Sequence, residues 1–166
     1  MKYDDKSYEG LYLRSTLNTN KLENIKFKII VAFCKKNNGI GINNQIPWIL
    51  KDDLASFKKI TTKVNDDFYN KNIVIMGRKT WDSIPKKFRP LKDRINIVLS
   101  RNTDKSYKEE KEQNNDSFLI NSFEQLNKFL IYYRFNEVFI IGGTQIYSEF
   151  LEKNLVKELI ITEIYN

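Results

Sequence analysis

The sequence holds no histidine and a single cysteine, Cys34. An internal disulfide is therefore impossible, and the usual zinc ligand sets, built from His and Cys, are excluded, so no metal site is expected. Ser-His-Asp and Cys-His nucleophilic catalysis are excluded by the same absence. Any proton chemistry falls to carboxylates, Lys, Tyr, backbone groups or a cofactor. No apolar run approaches the roughly 18 residues of a membrane-spanning helix, so no membrane partner is expected. The N-terminal stretch MKYDDKSYEGLYLRSTLNTNKLEN has no signal-peptide core and carries acids early, which points to a cytoplasmic protein.

What is present fits a single globular domain of 166 residues, 41% hydrophobic and 30% charged. The net charge of +7 suits an anionic small molecule or a nucleic acid. Lysine, asparagine and isoleucine are abundant throughout, so many lysines are expected to be solvent-facing filler. Arginine is scarcer and more informative: of six, Arg78, Arg89, Arg94 and Arg101 fall within one short segment. Such a cluster suggests a planar fork for carboxylate or phosphate. No nucleic-acid module is visible, and a nucleic-acid partner is not expected.

Along the chain, residues 1–25 are polar and read as a loosely ordered extension. The β-branched runs KFKIIVAF (26–33), NIVIM (72–76), RINIVLS (94–100), SFLI (117–120), EVFII (137–141) and VKELIITEIY (156–165) predict strands. The Gly- and Asn-rich 34–48 predicts a loop. A short amphipathic helix is expected from Asp52 or Asp53 to Thr61, a second in GRKTWDSIP, a third over 122–133 capped by Ser122, and a fourth in GGTQIYSEFLE. The charged stretch 101–116 has no core pattern and reads as a mobile surface insertion. Strands alternating with helices imply an α/β fold with a mostly parallel sheet flanked by helices.

Four constellations could carry chemistry. A strand turning through Gly77 into a helix presents free backbone N–H groups, beside Arg78 and Lys79, to a phosphate. Gly142 and Gly143, directly after a strand, permit close backbone approach of a ligand; the pattern is not GxGxxG. Ser100 and Arg101 place a hydroxyl and a guanidinium at the carboxyl edge of the sheet, where a 2′-phosphate could sit. In IPWILKDDLASF, Asp53 and Phe57 share a helix face, while Asp52 is rotated about 100° away. If Leu54 and Phe57 are buried, Asp53 points partly into the apolar side and needs a partner. Thr162, on the last strand, is a candidate.

Together these segments, with GIGINNQIPW, LKDDLASFKKI, NIVIMGRKTWDSIPKKFRPLKDRINIVLSR, VFIIGGTQIY and ELIITEI, resemble the dihydrofolate reductases from about Lys26 to Tyr165. The resemblance implies the three-layer fold of that family over 26–166, and NADPH-dependent reduction of 7,8-dihydrofolate to tetrahydrofolate. It implies that Asp53 is the active-site acid, supported by Thr162. Substrate contacts are expected from Ala32, Phe57, Ser83, Ile84, Leu91, Arg94 and Ile141, with Arg94 on the glutamate carboxylate. Cofactor contacts are expected from Ala32, Ile40, Gly41, Arg78, Lys79, Thr80, Ser100, Arg101, Gly142, Gly143, Thr144, Gln145, Ile146 and Tyr147. The Gly142–Gly143 peptide is expected to be cis. Relative to the family pattern, a C-terminal hairpin is missing after Thr162, so the sheet is expected to be incomplete. Two expectations follow: the reductase part of a fusion or association with thymidylate synthase, or a truncated, catalytically inactive relative that binds a nucleotide or a protein.

Overall fold

The computed structural model describes residues 22–34, 51–64, 71–101 and 116–164, with the side chains of 32–34, 51–54 and 162–164 outside that set. Six strands form one sheet: β1 (Phe27–Cys34), β2 (Asn72–Gly77), β3 (Arg94–Leu99), β4 (Ser117–Ile120), β5 (Val138–Gly142) and β6 (Val156–Ile164). Among the described residues four α-helices accompany them: α1 (Lys51–Thr62), α2 (Arg78–Ser83), α3 (Phe123–Tyr132) and α4 (Thr144–Glu152). The sheet order is β4-β3-β2-β5-β1-β6, and every described pairing is parallel.

The central strands are apolar on both faces because both faces are covered. β2, β3 and β5 are buried along their whole length. Alternate residues sort into two cores, as the two-residue period of a strand requires. One face gathers Ile73, Ile75, Ile97 and Ile140 with Leu126 of α3 and Phe150 of α4. The other gathers Val74, Met76, Val98 and Phe139 with Trp81 of α2 and Phe57 and Ile60 of α1. This is the three-layer α/β architecture implied by the sequence. Leu22 and Ile25 also pack against the first core, around a short 3-10 turn, Leu22–Asn24.

Topology explains which helices share a face. Right-handed crossovers moving one way along a sheet put their helices on one side, and those moving back put them on the other. From β1 the chain passes to β2 and β3 through α1 and α2. It then returns to β5 and β6 through α3 and α4, filling the position between β2 and β1. The carboxyl ends of β2 and β5 therefore lie side by side while their following helices leave on opposite faces, which is where ligands bind in open α/β sheets.

Local chemistry supports these elements. Ser122 caps α3, its Oγ accepting from Gln125 N, and Gln125 Oε1 accepts in return from Asn121 N. The apolar run NIVIM continues one residue into Gly77, where a Cβ would come within 2.9 Å of Ile146 Cγ1, so glycine lets β2 and α4 meet closely. The sequence did not reveal the 3-10 turn at Lys86–Phe88, nor the cis bond at Arg89–Pro90. Residues 35–50, which hold most of the predicted loop, and 102–115, which hold most of the charged stretch, lie outside the described residues. Among the described residues no helix is long and apolar enough to cross a membrane, and no cluster of potential metal ligands occurs.

Candidate functional site

Three of the sequence constellations converge on one open groove of about 1060 Å³ at the carboxyl edge of the sheet. Gly77, Arg78, Lys79 and Thr80 enter from the β2–α2 junction, and Ser100 and Arg101 from the end of β3. Ile141, Gly142, Gly143, Thr144, Gln145, Ile146 and Tyr147 come from the β5–α4 junction. Residues separated by more than 60 positions in sequence thus face one another because β2 and β5 are neighbours.

The groove floor is backbone. Gly142 has φ +132°, which L side chains rarely adopt. A Cβ there would meet Tyr147 Oη at 3.3 Å and Thr80 Oγ1 at 3.5 Å. The Gly142–Gly143 peptide is cis, as the resemblance implied. Neither α2 nor α4 has a side-chain cap at its N-terminus, where Gly77 and Gly143 stand. Beside this floor, Arg78 Nε donates to Asp82 at 3.1 Å along its own helix, while Lys79 is exposed. Tyr147 is buried and donates from Oη to Ile30 O at 2.9 Å. Burial pushes its phenol well above the ordinary tyrosine range.

The expected substrate side lies on the α1–α2 face. Phe57 is half-buried, Ile84 and Leu91 are buried, and Ser83 Oγ donates to Thr80 O at 2.6 Å. Arg94 is only 4% exposed. Its Nη1 donates to Thr61 Oγ1 at 3.0 Å and its Nε to Lys92 O at 2.8 Å, with the guanidinium 5.8 Å from the Phe57 ring centre. Burial lowers its pKa to about 10, against the opposing pull of Asp93. No carboxylate pairs with it among the described residues.

Several residues that position this side were not singled out from sequence. Asn96 is fully buried within β3; its amide bonds Leu91 N, Leu91 O and Arg94 O, fixing the loop that presents Leu91 and Arg94. Asn72 reaches Thr61 O and Lys63 O, tying the end of α1 to β2. Arg89 donates to Trp81 O at 2.8 Å, bracing the end of α2. An asparagine inside an apolar strand, as in NIVIM and RINIV, is the signal that could have revealed the first two. Of the other expected residues, Ala32, Asp53 and Thr162 lie on β1, α1 and β6, with Ala32 in register with Thr162. Their side chains are outside the described residues, as are Ile40 and Gly41 altogether.

Residues 26–166 match the family model for dihydrofolate reductase. The chain belongs to the dihydrofolate reductase family. It is 43% identical over 136 residues to the dihydrofolate reductase of Candida albicans, a match covering 82% of this chain and 67% of that protein. To the dihydrofolate reductase of Heliothis virescens it is 38% identical over 147 residues, 86% of this chain and 75% of the relative. The bifunctional dihydrofolate reductase-thymidylate synthase of Plasmodium berghei is 34% identical over 170 residues, 99% of this chain but only 29% of that protein. The chain thus spans about two thirds to three-quarters of these two single-activity relatives and under a third of the bifunctional one.

Proposed function

We propose that the chain is an NADPH-dependent dihydrofolate reductase, reducing 7,8-dihydrofolate to 5,6,7,8-tetrahydrofolate in the cytoplasm for one-carbon metabolism. The observation that carries this reading is the convergence of the β2–α2, β3 and β5–α4 junctions on one glycine-floored groove. The groove residues fit a phosphate-bearing dinucleotide: side chains are missing where a backbone must approach a ligand, α4 begins without a side-chain cap, and Arg78, Lys79 and Arg101 supply positive charge. When bound, NADPH supplies the hydride that reduces pterin C6.

The protein's part is to hold, orient and neutralise. Asp53 accepts hydrogen bonds from pterin N3 and the 2-amino group and favours protonation at N5, with Thr162 supporting that carboxylate. Phe57, Ser83, Ile84, Leu91, Ile141 and Ala32 wall the pterin and benzoyl groups. Arg94 pairs with the glutamate carboxylate, which relieves the cost of its burial. Arg78, Lys79 and Thr80 hold the pyrophosphate, and Ser100 and Arg101 the 2′-phosphate. Ala32, Ile40 and Gly41 lie along the nicotinamide, the Gly142–Gly143 pair, Thr144, Gln145 and Ile146 face the cofactor, and Tyr147 stands near the nicotinamide. No metal is needed. The bifunctional relatives support a fused or associated thymidylate synthase as partner.

The test is loss of reduced-nicotinamide absorbance with dihydrofolate, wild type beside Asp53→Asn and Asp52→Asn. Turnover that collapses only in Asp53→Asn supports the reading. Collapse only in Asp52→Asn moves the acid by one residue. NADPH binding without turnover in the wild type favours a non-catalytic nucleotide-binding relative.

A further inference from the structure

The end of the groove beside β3 holds carboxylates as well as cations. Arg101 Nη2 lies 3.6 Å from Glu149 Oε1 on α4. Arg101 is 85% exposed and Glu149 only 26%. Glu149 stands on the second turn of a helix anchored by the buried Ile146, Tyr147 and Phe150, so its carboxylate stays at the groove while the guanidinium can swing. Both residues line the groove, together with Ser100, Glu152 and Lys153.

Two opposite recognition chemistries therefore meet at one place. A guanidinium suits a ribose 2′-phosphate, whereas a carboxylate accepts hydrogen bonds from an unphosphorylated ribose 2′-hydroxyl and repels a phosphate. The geometry points to Glu149 as a cofactor-selectivity residue: it competes with the 2′-phosphate for Arg101 and so holds down the preference for NADPH over NADH. This rests on the proposed reading of the groove as the NADPH site. Release of Arg101 from a carboxylate 3.6 Å away, in an open and solvated groove, is worth about a three- to tenfold change in affinity for the 2′-phosphate.

The test is a titration of the full chain with NADPH and with NADH, read by intrinsic tryptophan fluorescence, which needs no turnover. The proteins are wild type, E149Q, E152Q, R101Q and the R101Q/E149Q double variant, each checked for an unchanged thermal midpoint. E149Q is expected to tighten NADPH about three- to tenfold and to leave NADH unchanged or weaker. E152Q makes the same charge change on the same helix and is expected to shift NADPH less than about twofold. In the R101Q background the gain from E149Q is expected to fall below about twofold, because the competed-for cation is gone. Equal effects on both nucleotides, weaker NADPH binding in E149Q, an equal gain in E152Q, or an undiminished gain without Arg101 would each overturn the inference. A wild type that binds neither nucleotide refutes the reading of the groove itself, and this assignment with it; that result is distinct from normal NADPH binding with no change in E149Q.

Discussion

Arg94→Met separates substrate binding from fold stability. A guanidinium lowered from its ordinary value to about 10 carries a burial cost of about 3 kcal/mol, at about 1.4 kcal/mol per pH unit. The sign is that of a base whose folded pKa is depressed: the penalty is fully present below about pH 10 and fades only as the pH rises from there towards the ordinary guanidinium value. At neutral pH the protein therefore carries the whole cost. Against it stand the bonds to Thr61 Oγ1 and Lys92 O, at about 1.5 kcal/mol each for a charged donor. The two contributions nearly cancel. Arg94→Met is expected to leave the unliganded stability within about 1 kcal/mol of wild type, or about 2–4 °C in thermal midpoint.

Dihydrofolate affinity, by contrast, should fall by about 100-fold, because the charge-assisted fork to the substrate carboxylate disappears. The assay is paired: thermal unfolding without ligand, and titration with dihydrofolate and with a pteridine lacking the glutamate. The truncated ligand should bind both proteins alike within about threefold. A loss of more than about 3 kcal/mol of stability with dihydrofolate binding unchanged would refute the reasoning, since Arg94 would then be a structural brace.

Gly142→Ala forces a side chain onto φ +132° against Tyr147 and Thr80; unfolding should show a loss of about 1–3 kcal/mol, and NADPH titration a weaker complex. Tyr147→Phe removes the Oη bond to Ile30 O and should cost about 1–2 kcal/mol. Because burial raises the Tyr147 pKa, the folded phenol stays neutral while the unfolded one ionises above about pH 10. Wild type should therefore lose stability faster than Tyr147→Phe in chemical denaturation at alkaline pH. Lys28→Met breaks the pairs with Glu137 at 2.9 Å and Glu158 at 3.6 Å. Burial lowers the Lys28 pKa, but those two acids outweigh it and leave it raised. The stability gap between wild type and Lys28→Met should be constant at neutral pH and close as pH rises through the elevated lysine value.

Strands were legible because burial on both faces writes itself as continuous β-branched runs: NIVIM and RINIV become β2 and β3, buried from end to end. Helix starts were legible where a side chain does the capping, as Ser122 does. The sheet order was beyond local reading. That β5 slips between β2 and β1 depends on pairings across roughly 65 and 110 residues, which no periodicity encodes. The same holds for Arg101 and Glu149, 48 residues apart and brought together where both line the groove. Gly77, the Gly142–Gly143 pair, Arg78 and Arg101 were visible as residues; their convergence on the groove was a consequence of topology.

The two halves of the site rest on different physics, and this predicts which mutations couple. The floor of the groove proposed for the cofactor is backbone at a switch point, so its glycines are replaceable only where no Cβ intrudes. The proposed substrate side hangs on a buried polar network. Asn72 ties α1 to β2 through Thr61 O, Thr61 Oγ1 donates to Phe57 O and accepts from Arg94, and Asn96 holds the Arg94 and Leu91 carbonyls. A satisfied network of this kind is rigid, and removal of either asparagine leaves buried backbone groups without partners. Disturbing Asn72 or Asn96 should therefore move Phe57, Leu91 and Arg94 together and weaken dihydrofolate binding. Among the described residues the glycine floor shares no side-chain hydrogen bond with that network, so NADPH binding should be spared.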